Sequence, residues 1–165
     1  ATVDHTVKHL SRDPLDIHNL IKQSADSFGV VINDKGGEIK LMLNASQSNI
    51  IGDELHLSNV FHNLIDNALK YGERTTKITI ESTTSEKWIS IKVRDNGVGI
   101  AKEQQHKVFD KFYRVSTGNQ HDVKGFGLGL YYVKYIVESH GGKITLASSE
   151  EGTCFEIKLP IGKSQ

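Results

Sequence analysis

The stretch from Asp53 to Gly72 limits the fold more than any other part of the chain, because its apolar residues recur only at helical spacing. Leu57, Val60, Phe61, Leu64, Ala68 and Leu69 fall three and four residues apart and form one stripe to be buried. Asp53 can cap this helix, which runs to about Tyr71 and is stopped by Gly72. A second stripe carries Asn63, Asn67 and Lys70, within roughly 60° of one another at about 100° per residue, with Tyr71 beside them. An amide carbonyl is a neutral hard oxygen suited to Mg²⁺, and a lysine is a point charge suited to phosphate. A solvated helix face would look the same for any one of these residues. Asparagine is a poor helix former, however, and two in mid-helix carry a propensity cost that no cap justifies.

The rest of the chain mixes both periodicities. Pro14 opens a helical stretch through Leu15, Ile17, Leu20, Ile21, Ala25 and Phe28, ended by Gly29. Val30–Asn33 and Ile39–Asn44 flank Asp34-Lys35-Gly36-Gly37 and read as a hairpin. Lys77–Thr83 and Trp88–Arg94 alternate as strands around Ser85-Glu86-Lys87. A shorter helix covers Lys102–Phe109, and residues 114–126 read as a mobile loop. Gly127–His140 is helical, and Lys143–Ser148 with Thr153–Leu159 closes the chain as a hairpin. Consecutive hairpins among helices favour an α+β fold, with a helix layer on one face of a mostly antiparallel sheet.

Composition removes several classes of function. With 165 residues, 37% of them hydrophobic, the chain can bury one core. Twenty basic residues balance twenty acidic ones, so no overall field draws nucleic acid or an anionic membrane. The single cysteine, Cys154, excludes an internal disulfide framework and a cysteine-rich zinc site. The longest apolar run is Leu130–Val133, and the first residues, ATVDHTVKHL, do not read as a signal peptide.

Three further segments can carry chemistry. Asp95-Asn96-Gly97-Val98-Gly99 follows a strand, and a carboxylate fixed there could accept the exocyclic amine of a purine; a turn closed by an Asx hydrogen bond is the other reading. Gly125-Phe126-Gly127-Leu128-Gly129-Leu130 enters a helix from a loop, where converging amides and the helix dipole suit phosphate. It lacks the preceding strand of a dinucleotide fingerprint, and no P-loop motif is present. Between them, Phe109, Phe112 and Tyr113 alternate with Lys111 and Arg114, two cations that could close over an anion.

Taken in order, HNLIDNALKYG at 62–72, DNGVGI at 95–100, VFDKFYRV at 108–115 and GFGLGL at 125–130 resemble the N box, first G box, F box and second G box of sensor histidine kinases. These belong to the ATPase superfamily shared with gyrase, Hsp90 and MutL. The resemblance spans about residues 14–160 and implies a two-layer α/β sandwich of the Bergerat type, its mixed, mostly antiparallel sheet packed on about three helices. It implies ATP and Mg²⁺ as cofactors, with Asn67 as the metal ligand, Asn63 near metal and phosphates, and Lys70 on phosphate. Tyr71 would pack against adenine, Asp95 would bind its amino group, and Gly97 and Gly99 would give the base room. Arg114 and Lys111 would meet phosphate under a lid at about 115–126, with Gly125, Gly127, Leu128 and Gly129 at its hinge.

The same resemblance sets the reaction and the partners. Hydrolysing relatives place a glutamate four residues before the metal-binding asparagine to activate water; here that position is Asn63, which cannot serve as a base. The expected reaction is transfer of the γ-phosphate to a protein histidine in two-component signal transduction, with a response regulator downstream. Neither His5 nor His9 sits in the acceptor motif, a His-Glu followed by Leu or Phe and then Arg-Thr-Pro. Residues 1–13 therefore read as the end of a dimerisation helix and its linker, 14–160 as the catalytic and ATP-binding domain, and 161–165 as a tail. The acceptor histidine would lie in a dimerisation domain outside this chain. The domain would be cytoplasmic and free of membrane contact, its parent membrane-anchored. A hydrolysing ATPase and a non-catalytic binding module are the competing readings.

Overall fold

A computed structural model describes residues 9–70, 75–111 and 129–162. Strand β1 (Asp13–Asp16) pairs antiparallel with β3 (Asn49–Gly52) as a small two-stranded sheet. The main sheet has five strands in the order β2 (Glu38–Leu43), β4 (Lys77–Ser85), β5 (Trp88–Asp95), β7 (Gly152–Pro160) and β6 (Lys143–Ser149). Only the β2–β4 pair is parallel. Helices α1 (Ile17–Ser27), α3 (Glu54–Lys70) and α4 (Gly129–Ser139) cover one face, and a short α2 (Gly29–Asp34) leads into β2.

Alternation along the strands decides which face the helices cover. Ile78 and Ile80, Ile89, Ile91 and Val93, and Phe155, Ile157 and Leu159 are all buried, and they meet Leu57, Val60, Phe61 and Leu64 of α3 and Val133, Ile136 and Val137 of α4 in one core. The two-layer α/β sandwich expected from the sequence is the fold observed. Ile65 joins the buried stripe of α3, whereas Leu69 is only half-buried.

Local departures have identifiable causes. Pro14 does not start a helix. It lies in β1 opposite Ile51, and α1 begins at Ile17 because Asp16 is the cap, its Oδ1 accepting from the His18 amide at 3.0 Å. Residues 30–33 are not a hairpin strand. They belong to α2, where Ile32 is buried and Val30 and Val31 are exposed, and β2 then pairs in parallel with β4 across the chain. Beyond Ala101 only Lys102–Gln104 closes as a 3₁₀ turn, followed by further i→i+3 turns at Lys107 and Asp110, so no α-helix forms over 102–109. Strand β3 was not expected. Gly72, the loop at 114–126 and the start of the helix at 127–128 lie outside the described residues.

Candidate nucleotide-binding site

Helix α3 is fixed at both ends. Asp53 Oδ1 accepts from the His56 amide at 2.9 Å and its Oδ2 from the Ser11 amide at 2.9 Å, while Glu54 in the first turn and Lys70 in the last match the helix dipole. Burial pushes the Asp53 carboxyl up, but these amide bonds together with nearby His56 and His140 outweigh it and hold it below its ordinary range. Halfway along, Asn63 Nδ2 donates to the Asn59 carbonyl at 2.7 Å, which leaves Oδ1 as the outward acceptor. That oxygen lies 3.4 Å from where a Cβ on Gly129 would stand, so it faces the first residue of α4. One turn on, half-buried Asn67 makes no side-chain hydrogen bond to a described residue. Lys70 Nζ pairs with Asp66 at 3.0 Å.

The seam between α3 and α4 continues in the same polar manner. His56 Nδ1 and Asn59 Nδ2 both meet the Tyr132 hydroxyl, and burial raises the pKa of that phenol. At the far end the Asp53 amide donates to His140 Nε2 at 3.0 Å, and His140 Nδ1 donates to the Ile136 carbonyl at 2.7 Å. Lys111 Nζ lies 5.7 Å from the centre of the Tyr131 ring, in the first turn of α4.

A second group forms at the end of β5. Asp95 Oδ1 accepts from the Gly97 amide at 2.8 Å, which realises the Asx turn, and from the Thr153 amide at 3.3 Å. Burial raises the Asp95 pKa, and the two amides offset this only in part. Gly97 is buried. Gly99 has φ +81°, and a Cβ there would stand 1.9 Å from the Ser149 carbonyl oxygen. The Cβ direction at Gly99 is therefore filled by the Ser149 carbonyl of the β6–β7 hairpin. Gly152 is equally tight, a Cβ there meeting the Asp95 carbonyl oxygen at 2.0 Å.

The structure thus brings Asn63 to Gly129 and Lys111 to the first turn of α4, and it seats Asp95 and Gly99 on the β6–β7 hairpin, with Gly97 bonded to Asp95. No hydrogen bond or ion pair joins Asp95 to Asn63 or Asn67 among the described residues. Tyr71, Arg114, Gly125, Gly127 and Leu128 lie outside those residues. Sequence reasoning missed Ser148, Gly152 and Thr153, which support the Asp95 loop from 48 to 58 positions away; the Gly152-Thr153 pair opening a strand was the only local signal.

Residues 52–163 match the family model described as histidine kinase-, DNA gyrase B- and HSP90-like ATPase. The chain belongs to that family. Within it, the relatives are sensor kinases. The sensor protein RprX of Bacteroides fragilis is 44% identical over 158 residues, which cover 94% of this chain and 30% of RprX. A mycobacterial sensor histidine kinase, MprB, superposes with a TM-score of 0.78 at 26% identity, covering 93% of this chain and 99% of that one. Full-length ShkA, solved in complex with AMPPNP, superposes with a TM-score of 0.81 at 26% identity, covering 94% of this chain and 32% of ShkA. This ATPase domain accordingly spans about a third of the length of RprX and of ShkA. Among the described residues no helix is long and apolar enough to cross a membrane.

Proposed function

We propose that this domain binds ATP with Mg²⁺ and passes the γ-phosphate to a histidine on a dimerisation domain outside the chain. The observation that carries the reading is the arrangement of two groups on one scaffold. The Asn63 amide oxygen of α3 faces the start of α4, and a half-buried carboxylate at the end of β5 keeps one oxygen without a partner among the described residues. Asp95 Oδ2 accepts the adenine amino group while Oδ1 stays in its turn. Family membership and the AMPPNP held by ShkA support the choice of nucleotide.

The donor set fits a magnesium ion that arrives with its nucleotide. Asn67 offers a hard, neutral oxygen with no partner among the described residues, Asn63 Oδ1 lies one turn away on the helix, and no three described His, Cys, Asp or Glu side chains gather as a metal cage. When bound, Mg²⁺ neutralises phosphate charge. Asn67 and Asn63 hold it, Lys70 leaves Asp66 to reach phosphate, and Lys111 and Arg114 approach from the F box with Tyr71 on the base. Gly125, Gly127, Leu128 and Gly129 present amides where the helix begins. These residues orient and screen the triphosphate, which is most of what phosphoryl transfer asks of a protein. In the transfer the acceptor imidazole nitrogen forms a bond to the γ-phosphorus, the bond to the β–γ bridging oxygen breaks, and ADP leaves. Asn63 supplies no base, so water is a poor competitor.

On this reading residues 1–13 join the domain to its dimerisation helices, 161–165 form a tail, a response regulator receives the phosphate, and the parent is membrane-anchored with this domain in the cytoplasm. The test is transfer from γ-labelled ATP, with Mg²⁺, to a separately supplied dimerisation fragment. Label on the fragment's histidine that disappears with Asn67→Asp is expected. Steady-state phosphate release without labelled histidine would instead place the domain among the hydrolysing members.

A further inference from the structure

The loop that carries Asp95 is not held by its own strand alone. Its far end is fastened twice: Gln105 Nε2 donates to the Ile100 carbonyl at 2.9 Å, and the Ile100 amide donates to Ser148 Oγ at 2.7 Å. The same Oγ donates to the Gly152 carbonyl at 3.2 Å and lies 2.8 Å from Thr153 Oγ1, a bond in which either hydroxyl can donate, so one oxygen joins Ile100 to both residues on the opposite side of the β6–β7 turn. Thr153 in turn donates its amide to Asp95 Oδ1 at 3.3 Å. These bonds close a ring from Asp95 through Thr153 and Ser148 to Ile100, and the loop itself completes it. Inside that ring the backbone has little freedom, because Gly99 and Gly152 already touch carbonyl oxygens of Ser149 and Asp95.

We propose that Ser148 is a positioning residue for nucleobase recognition, acting through Thr153 and Ile100 to aim the free oxygen of Asp95. Ser148 has no reason to touch the nucleotide. Its effect is to hold a carboxylate whose second oxygen must meet a 6-amino group at hydrogen-bond distance, and hydrogen bonds weaken steeply with misalignment. Without the hydroxyl, the Ile100 amide and Thr153 Oγ1 lose their shared partner and the loop's two ends are no longer tied to one point. The triphosphate contacts of α3 and α4 do not depend on this ring. Loss of Ser148 should therefore be read at the base and not at the phosphates.

This rests on the adenine assignment for Asp95, and the experiment separates the two. Binding of ATP and of inosine triphosphate, which replaces the 6-amino group by an oxygen, is measured with Mg²⁺ by calorimetry for the parent chain, Ser148→Ala and Asp95→Asn. The parent prefers ATP. Ser148→Ala is expected to lose about 5–20-fold in ATP affinity, the range for one weakened buried hydrogen bond, while its inosine triphosphate affinity stays within about twofold. A parallel fall for both nucleotides, or no fall, would overturn the role of Ser148. Should Asp95→Asn keep the parent's preference for ATP, the adenine assignment itself fails. If circular dichroism shows Ser148→Ala unfolded, Thr153→Val removes the same Ser148–Thr153 bond at nearly constant volume and must show the same selective loss.

Discussion

At Asp95 the two carboxylate oxygens have different partners, and this makes one substitution informative in two directions. Oδ1 is held by the amides of Gly97 and Thr153, while Oδ2 has no partner among the described residues. Burial raises the pKa of the group, which means that the empty fold disfavours the charge it carries at neutral pH. Asp95→Asn keeps an acceptor for the two amides and removes that charge. Its thermal midpoint without nucleotide should equal or exceed the parent's. Its ATP affinity should fall by about 5–150-fold, because an amide NH₂ in place of Oδ2 faces the adenine amine donor to donor, a loss of about 1–3 kcal/mol. Calorimetry beside a melting curve reads both. A variant that melts earlier and binds ATP as before would show that Asp95 only shapes its turn.

At the scale of elements, two glycines that look alike in sequence should behave differently. Gly99→Ala forces a Cβ into the left-handed region and within 1.9 Å of a backbone carbonyl, neither of which a rotamer change relieves. It should cost more than about 2 kcal/mol in urea denaturation. Gly129→Ala meets only Asn63 Oδ1 at 3.4 Å, and its stability should stay within about 0.5 kcal/mol of the parent. The same contrast shows what the sequence can disclose. Helix α3 and the β4–β5 and β6–β7 hairpins were legible because their partners lie within one period or one turn. Val30–Asn33 was misread because a short apolar run fits a strand or a helical turn equally well. Strand β3 escaped notice for lack of length, and the parallel pairing of β2 with β4 involves residues some forty positions apart, which no local pattern records. The amides of α3 and the Asp95 turn could be placed from spacing alone. Ser148, Gly152 and Thr153 could not, since what defines their role is contact across the sheet.

For the whole molecule the decisive variable is pH, because buried His140 and half-buried His18 each join two elements through a hydrogen bond made by the imidazole. His140 links the end of β3 to the end of α4: its Nε2 accepts the Asp53 amide, its Nδ1 donates to Ile136, and Gly52 leaves no room for a Cβ beside it. This pattern requires the neutral ring, since a proton on Nε2 would confront the Asp53 N–H. Burial accordingly lowers the His140 pKa below its ordinary 6.5, with Arg12 and His56 lowering it further and the Ile136 carbonyl and Asp53 pulling the other way. Burial also lowers the pKa of His18, whose Nε2 meets Ser82 Oγ at 2.7 Å. A base depressed in the fold binds its proton more readily when unfolded. Stability is therefore complete above 6.5 and is lost as pH falls from there toward the lowered values, by up to about 1.4 kcal/mol per pH unit for buried His140 and by less for His18, which solvent screens. Asp95 has the opposite sign, gaining stability as pH falls through its raised pKa, and it does so alike in the parent and in a His140 variant; Asp53 loses stability only below the ordinary 3.8, outside the window from 7.5 to 5.5. Urea midpoints measured across that window should decline in the parent. In His140→Asn they should start lower and decline less steeply, because one of the two titrating rings is gone. Equal slopes in the two proteins would mean that His140 takes up its proton as readily in the fold as in the unfolded chain, and that the junction between β3 and α4 does not depend on the neutral imidazole.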